Sequence, residues 1–233
     1  RNQIYLILNL FKMKKLVLAA FLVAGFSYTM TSCSSAPEGD KTVVTEAQEV
    51  DSTAGTTIQL DSNSSKVGFV GNGVGKNHPG TFKVTSGSVT VAGGKITGGK
   101  FIINTKSMEM TEQGEMIQTK LKGHLMSPDF FDVEKYPTAI FEVTGLEAYT
   151  PTGSDSSVIA GANYTVSGNL TLKDVTKNVS FPAKVDLTET SFKVLASFNI
   201  DRTLWGMKYG NDKSLKDKFI SEIVNINLDL ESR

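Results

Sequence analysis

From Ile58 to the C-terminus, apolar residues recur at every second position. Val67 and Phe69 alternate with Lys66 and Gly68, and Phe82 and Val84 alternate with Thr81 and Lys83. The later runs are longer. Tyr164, Val166, Gly168, Leu170 and Leu172 share one face against Thr165, Ser167, Asn169 and Thr171. Val179, Phe181, Ala183, Val185 and Leu187 oppose Ser180, Pro182, Lys184 and Asp186; Val224, Ile226, Leu228 and Leu230 oppose Asn225, Asn227 and Asp229. A strand turns successive side chains to opposite faces, so this period puts one face of each run in an apolar interior and the other in water. Turn signals such as Ala92-Gly93-Gly94-Lys95 and Thr152-Gly153-Ser154-Asp155 separate the runs. About eight such strands, with no helical layer to cover a second apolar face, favour closure, because a closed sheet leaves no unpaired edge. One segment breaks the period. Thr111 can cap a helical run from Glu112 to about Leu125, which places Met116, Leu121 and Leu125 to pack on the barrel. The expected fold is all-β: an eight-stranded antiparallel barrel with one helical excursion.

The N-terminal part follows a different grammar. Residues 1–12 precede Met13-Lys14-Lys15 and read as upstream translation outside the mature protein. Two lysines, the apolar run Leu16 to Phe26 and the small residues Ser27 to Ser32 make residues 13–32 a secretory signal. The apolar run is eleven residues, short of the ~20 that a spanning helix needs. Met30-Thr31-Ser32-Cys33 resembles a bacterial lipobox, in which the cysteine becomes the lipidated first residue; the alternative is an ordinary signal with an incidental cysteine. Residues 33–56, rich in Ser, Thr, Ala, Gly and acidic side chains, read as a flexible tether, because such a composition buries little apolar surface. The barrel domain follows over residues 57–233. The implied location is the bacterial cell envelope, with a lipid anchor in the membrane and the barrel in the periplasm.

Charge and chemistry narrow the function. With 24 basic and 24 acidic side chains the chain has no net charge, so there is no basic stripe to track the phosphates of a nucleic acid. Cys33 is the single cysteine and lies outside the domain, which leaves the domain without a disulfide, a zinc cluster or a thiol nucleophile. His78 and His124 are the two histidines, and no carboxylate is spaced to complete a metal set with them. His124 is placed to close the helix C-terminus, and Asp129, after Pro128, to bond backbone amides in a turn. Glu109, Glu112 and Glu115 read as a solvated face at the helix start. No Ser-His-Asp order, phosphate-cradling loop or nucleotide motif is present. The expectation is a protein that is not an enzyme and has neither a cofactor nor a metal.

Three segments carry a resemblance. In Gly123 to Val143 a helix-like run ends at His124-Leu125 and Ser127-Pro128-Asp129 turns the chain. Phe130-Phe131 then inserts two rings, and Tyr136-Pro137 forces an extended start to a strand. Val166 to Leu172 is followed by Asp174-Val175-Thr176-Lys177, and Phe198 to Arg202 by Trp205-Gly206-Met207. This ordered set resembles the YceI-like family, periplasmic barrels that bind lipids or polyisoprenoids, from about Thr57 to Glu231. The resemblance implies a lipocalin-like barrel enclosing a long apolar chain. The candidate tunnel lining is Phe69, Phe82, Phe101, Ala139, Phe141, Val143, Leu170, Phe181, Phe198 and Trp205. On composition alone, this mixture of large and small residues reads as an interdigitated core ahead of a tunnel; the resemblance reverses that order. His78 and Arg202 are the rim candidates for a ligand head group. Arg202 is also placed to pair with Asp129 or Asp132, and Trp205 to plug one end. The expected function is an envelope lipoprotein that binds or carries an isoprenoid or fatty-acyl chain. The alternative is a structural or stress-related envelope protein with a filled barrel.

Overall fold

The alternating runs form strands, and tight turns between them reverse the chain so that each strand pairs with the next. The computed structural model describes residues 37–50, 54–73, 75–151 and 156–233, the side chains of residues 216 and 217 excepted. The strands in chain order are β1 (Asp40–Lys41), β2 (Val43–Glu46), β3 (Thr56–Gln59), β4 (Lys66–Gly73), β5 (Lys76–Ala92) and β6 (Lys95–Met110). They continue as β7 (Thr138–Ala148), β8 (Tyr164–Leu172), β9 (Val175–Leu187), β10 (Phe192–Asp201) and β11 (Ile223–Glu231). Between β5 and β6, Gly93 and Gly94 hold φ values of +58° and +75°, the two left-handed centres that match the natural twist of a hairpin. The turn expected at residues 152–155 lies outside the described residues, as do the signal sequence and Cys33.

Strands β4 to β11 make the closed barrel. Each pairs antiparallel with its successor, and β11 returns to β4. Register shifts between β5 and β6 bend that long hairpin around the barrel wall. The expected alternation holds in burial: Val179, Phe181, Ala183 and Val185 all point into the core from β9. Strand β3 adds to β5, and Leu60 bridges Ser232, covering one end. The opposite end carries the excursion between β6 and β7, the turn joining β8 to β9, and the connection over residues 202–222 between β10 and β11.

The helical excursion is shorter than expected. Gly114 sits at φ +114°, so the chain is not helical there; a π-helical turn begins at Met116 and runs through Leu121 into α1 (Lys122–Met126). Thr111 does not cap it. Its hydroxyl donates instead to the carbonyl of Pro79. Nor does the His124 side chain close the C-terminus; Ser127 does, giving both its N–H and its hydroxyl to the His124 carbonyl.

A larger correction concerns the tether. Residues 37–50 are laid into the barrel wall. Strands β9 and β10 pair with each other only over residues 184–187 and 192–195, and beyond that they part. The N-terminal segment enters the gap, with β1 parallel to β10 and β2 antiparallel to β9. Outward-facing asparagines hold it. Asn199 Nδ2 donates to the carbonyls of Pro37 and Gly39, and Asn169 exchanges hydrogen bonds with the Gln48 backbone in both directions. Asp40 is buried there, accepting from the Ser157 hydroxyl and the Val158 N–H. The segment lacks apolar mass, as its composition indicates, but sheet and amide hydrogen bonds replace it.

Candidate ligand cavity

The inward faces of the barrel strands enclose a cavity of about 260 Å³. Phe69, Phe82, Phe101, Ala139, Phe141, Val143, Leu170 and Phe181 line it, drawn from β4 to β9 by the period-two alternation. Two of the expected lining residues do not. Phe198 stacks flat on Phe181, ring centroids 3.8 Å apart, and lies behind it. Trp205 is fully buried away from the lumen, and its indole N–H donates to the Leu170 carbonyl at 3.0 Å, so it staples the 202–222 connection to β8 rather than plugging the barrel.

The aromatic rings leave the lumen open because they lie against its wall. Three phenylalanines pack over a glycine of a neighbouring strand: Phe69 over Gly80, Phe101 over Gly87 and Phe141 over Gly168. A Cβ at those glycines would stand 2.4, 2.4 and 2.2 Å from the nearest ring carbon. Each glycine therefore gives its phenylalanine a shelf, and the ring covers the bare backbone instead of crossing the barrel.

The polar side chains of the lining, apart from Thr105, gather at the end capped by the excursion. They are Asn72, His78, His124, Arg202 and Ser221; no Lys, Asp or Glu is among the lining residues. His78 Nδ1 lies 2.7 Å from Glu112 Oε2, so Glu112 is a partner at the cavity and not part of a solvated face. The β5–β6 ladder pairs Gly80 with Met110, and stepping two residues outward on each strand brings His78 opposite Glu112. That register is the signal that finds the pair, and it is invisible to local sequence. His124 Nε2 lies 3.0 Å from Asp129 Oδ2, and its ring meets Phe130 and Tyr209 edge-on. Asp129 thus serves His124 rather than the turn's backbone amides.

Arg202 pairs with neither Asp129 nor Asp132. Its Nε donates to the Ser221 carbonyl at 2.8 Å and Nη2 to those of Tyr209 and Ile220 at 2.9 and 3.0 Å, while Nη1 donates to Met207. The guanidinium also stands over the Phe130 ring, 5.3 Å from its centroid. Burial lowers the Arg202 pKa below its ordinary value, while Asp201 and Glu222 act the other way. Arg202 is therefore the organiser of the 202–222 connection, with one side exposed to the cavity. That connection and the excursion also supply lining that the alternation does not reveal, among them Leu121, Leu125, Phe130, Met207 and Ile220. Among the described residues, no group of three or more His, Cys, Asp or Glu is placed to hold a metal ion.

A family model for the YceI-like domain matches residues 58–232. Among curated proteins, the chain is 32% identical over 105 residues to a UPF0312 protein of Azotobacter vinelandii, covering 45% of this chain and 47% of that protein. It is 38% identical over 86 residues to a UPF0312 protein of Pseudomonas aeruginosa, covering 37% and 36%. The chain spans less than half the length of these curated relatives. Among solved structures, Burkholderia cenocepacia BcnA superposes with a TM-score of 0.57 at 21% identity, over 75% of this chain and 99% of that one. A polyisoprenoid binding domain from Saccharophagus degradans, implicated in plant cell wall breakdown, superposes with a TM-score of 0.54 at 19% identity, over 75% and 97%. These likenesses agree on the barrel.

Proposed function

The chain belongs to the YceI-like family, and from that membership we propose that it is a lipid-binding protein of the bacterial cell envelope whose barrel takes one apolar chain into its lumen. The observation that carries the proposal is the open, almost wholly apolar lumen, kept clear by phenylalanine rings lying on glycine shelves. A slender isoprenoid or fatty-acyl chain suits it. Each methylene moved from water into such a lumen stabilises the complex by roughly 0.8 kcal/mol, before the cost of ordering the chain. The likeness to a polyisoprenoid binding domain supports the same ligand class.

The polar end narrows the ligand further. An ionised head group there would meet imidazoles already beside carboxylates and a guanidinium with four of its five N–H groups taken by carbonyls, and burying an incompletely paired charge is costly. The favoured ligand has an uncharged head. Native mass spectrometry of gently purified protein tests this directly. A copurified neutral lipid is the expected adduct; apo protein alone after mild extraction would contradict the reading.

Attachment to the membrane through lipidated Cys33 belongs to the same proposal. Cys33→Ala should abolish acylation and membrane fractionation while the barrel still folds, because the barrel's wall is complete from residue 37 onward. Metabolic acyl labelling that persists in the variant would sink the anchor.

A further inference from the structure

Seven large apolar side chains are exposed among the described residues, and their distribution is uneven. Four of them, Met116 (61%), Tyr209 (48%), Leu204 (42%) and Leu215 (40%), sit on the two connections that frame the polar end of the cavity. At the opposite end the β5–β6 and β9–β10 turns expose none, and the described part of the β7–β8 connection exposes Val158 alone. The same two connections supply Leu121, Leu125, Met207 and Ile220 to the lining, so the exposed residues and the lining are continuous through a few residues of chain. The contact of Tyr209 with His124, at 4.6 Å between ring centroids, ties the two connections together.

Charge is arranged on the same segments. Lys120, Lys208, Lys213 and Lys218 are exposed between and beside the apolar residues, and Lys76 is exposed on the neighbouring β4–β5 hairpin. Glu115, Asp129, Glu134 and Asp212 are exposed there too, but Asp129 is paired with His124, Glu134 with Lys106, and Asp212 accepts locally from the Ser214 N–H at 2.8 Å. Apolar side chains with interleaved lysines fit the boundary layer of a bilayer. The apolar groups reach the acyl region and the ammonium groups meet lipid phosphates.

The geometry points to the helical end of the barrel as a docking face for an anionic bilayer, which presents the cavity mouth to the membrane so that a lipid passes between them without crossing water. This rests on the lipid-binding reading. It adds a physical route: a long chain crossing water would expose every methylene to solvent, and a docked mouth avoids that barrier.

The test uses the full chain carrying Cys33→Ala, so that acylation does not hold it on the membrane, compared with the same chain also carrying Leu204→Ser and Leu215→Ser. Neither leucine lines the cavity. Vesicles of phosphatidylethanolamine and phosphatidylglycerol donate a fluorescent analogue of geranylgeraniol, and the transfer rate is the readout. The expected result is transfer that speeds up with phosphatidylglycerol content and slows with salt. The double substitution should slow it about tenfold or more. Uptake of the same probe delivered in dilute ethanol should be unchanged, which also shows that the variant is folded. Equal transfer rates for the two chains, or a rate independent of vesicle concentration, would overturn the docking face. Cosedimentation with probe-free vesicles separates the two readings. If the leucines govern cosedimentation but neither chain takes up probe from any source, the lipid-binding reading falls and the docking face stands.

Discussion

At the scale of single residues, the lumen depends on places where nothing is present. Gly168 carries the Phe141 ring so closely that a methyl group would sit 2.2 Å from Cζ and 2.8 Å from the Glu142 carbonyl oxygen. Gly168→Ala should therefore tilt the ring into the lumen or spread β7 from β8. The expected loss is about 1–3 kcal/mol, the range for overpacking a well-packed site, with a lower melting temperature and less copurified lipid. An unchanged melting temperature and lipid content would show that the shelf is not needed. Phe141 itself is legible in sequence, since alternation with Glu142 turns it inward. Its glycine partner is not, because it lies on another strand and is fixed by the β7–β8 register. Arg202 illustrates the same limit from the polar side. A buried arginine invites a search for a carboxylate, but carbonyls of a loop have no residue signature, and four of them take the guanidinium.

Elements show where composition misleads. Residues 37–50 contain too little apolar surface to fold alone, and a flexible tether is the natural expectation. What they meet decides otherwise. Asn169, Asn178, Asn199 and Asn225 sit on the outer face of β8 to β11, where period-two reasoning assigns them to water, yet Asn169, Asn178 and Asn225 are buried under or beside the segment. A Cβ at Gly39 would stand 2.2 Å from Asn225 Nδ2 and 2.6 Å from Asn199 Oδ1, so a larger residue would displace the amides that hold the segment. Deleting residues 1–50 should thus expose the parted edges of β9 and β10 and leave buried amides without partners, whereas deleting residues 1–36 should not. Thermal unfolding with size-exclusion chromatography checks this: the longer deletion should melt lower and self-associate. Indistinguishable behaviour of the two deletions would make the segment an ornament on a complete barrel.

For the whole molecule, the barrel wall was readable because every strand repeats the same inward–outward code and the turns between them are tight. Eight strands in a ring then leave a lumen just wide enough to be filled or to hold one slender chain. Composition alone leans towards the filled outcome. The choice lies in ring orientation against glycine, and in the polar end, which is assembled by two connections far apart in sequence. Ala139 offers the most direct check. It is buried on β7 opposite Ile103, faces the cavity, and leaves space that a larger side chain would occupy. The decisive measurement is a fluorescence titration of the full chain and its Ala139→Trp variant with a neutral prenol, each shown to be folded by its far-ultraviolet dichroism. Saturable binding by the parent and its loss in a folded Ala139→Trp barrel is the predicted result; equal binding by both would place the ligand outside the lumen.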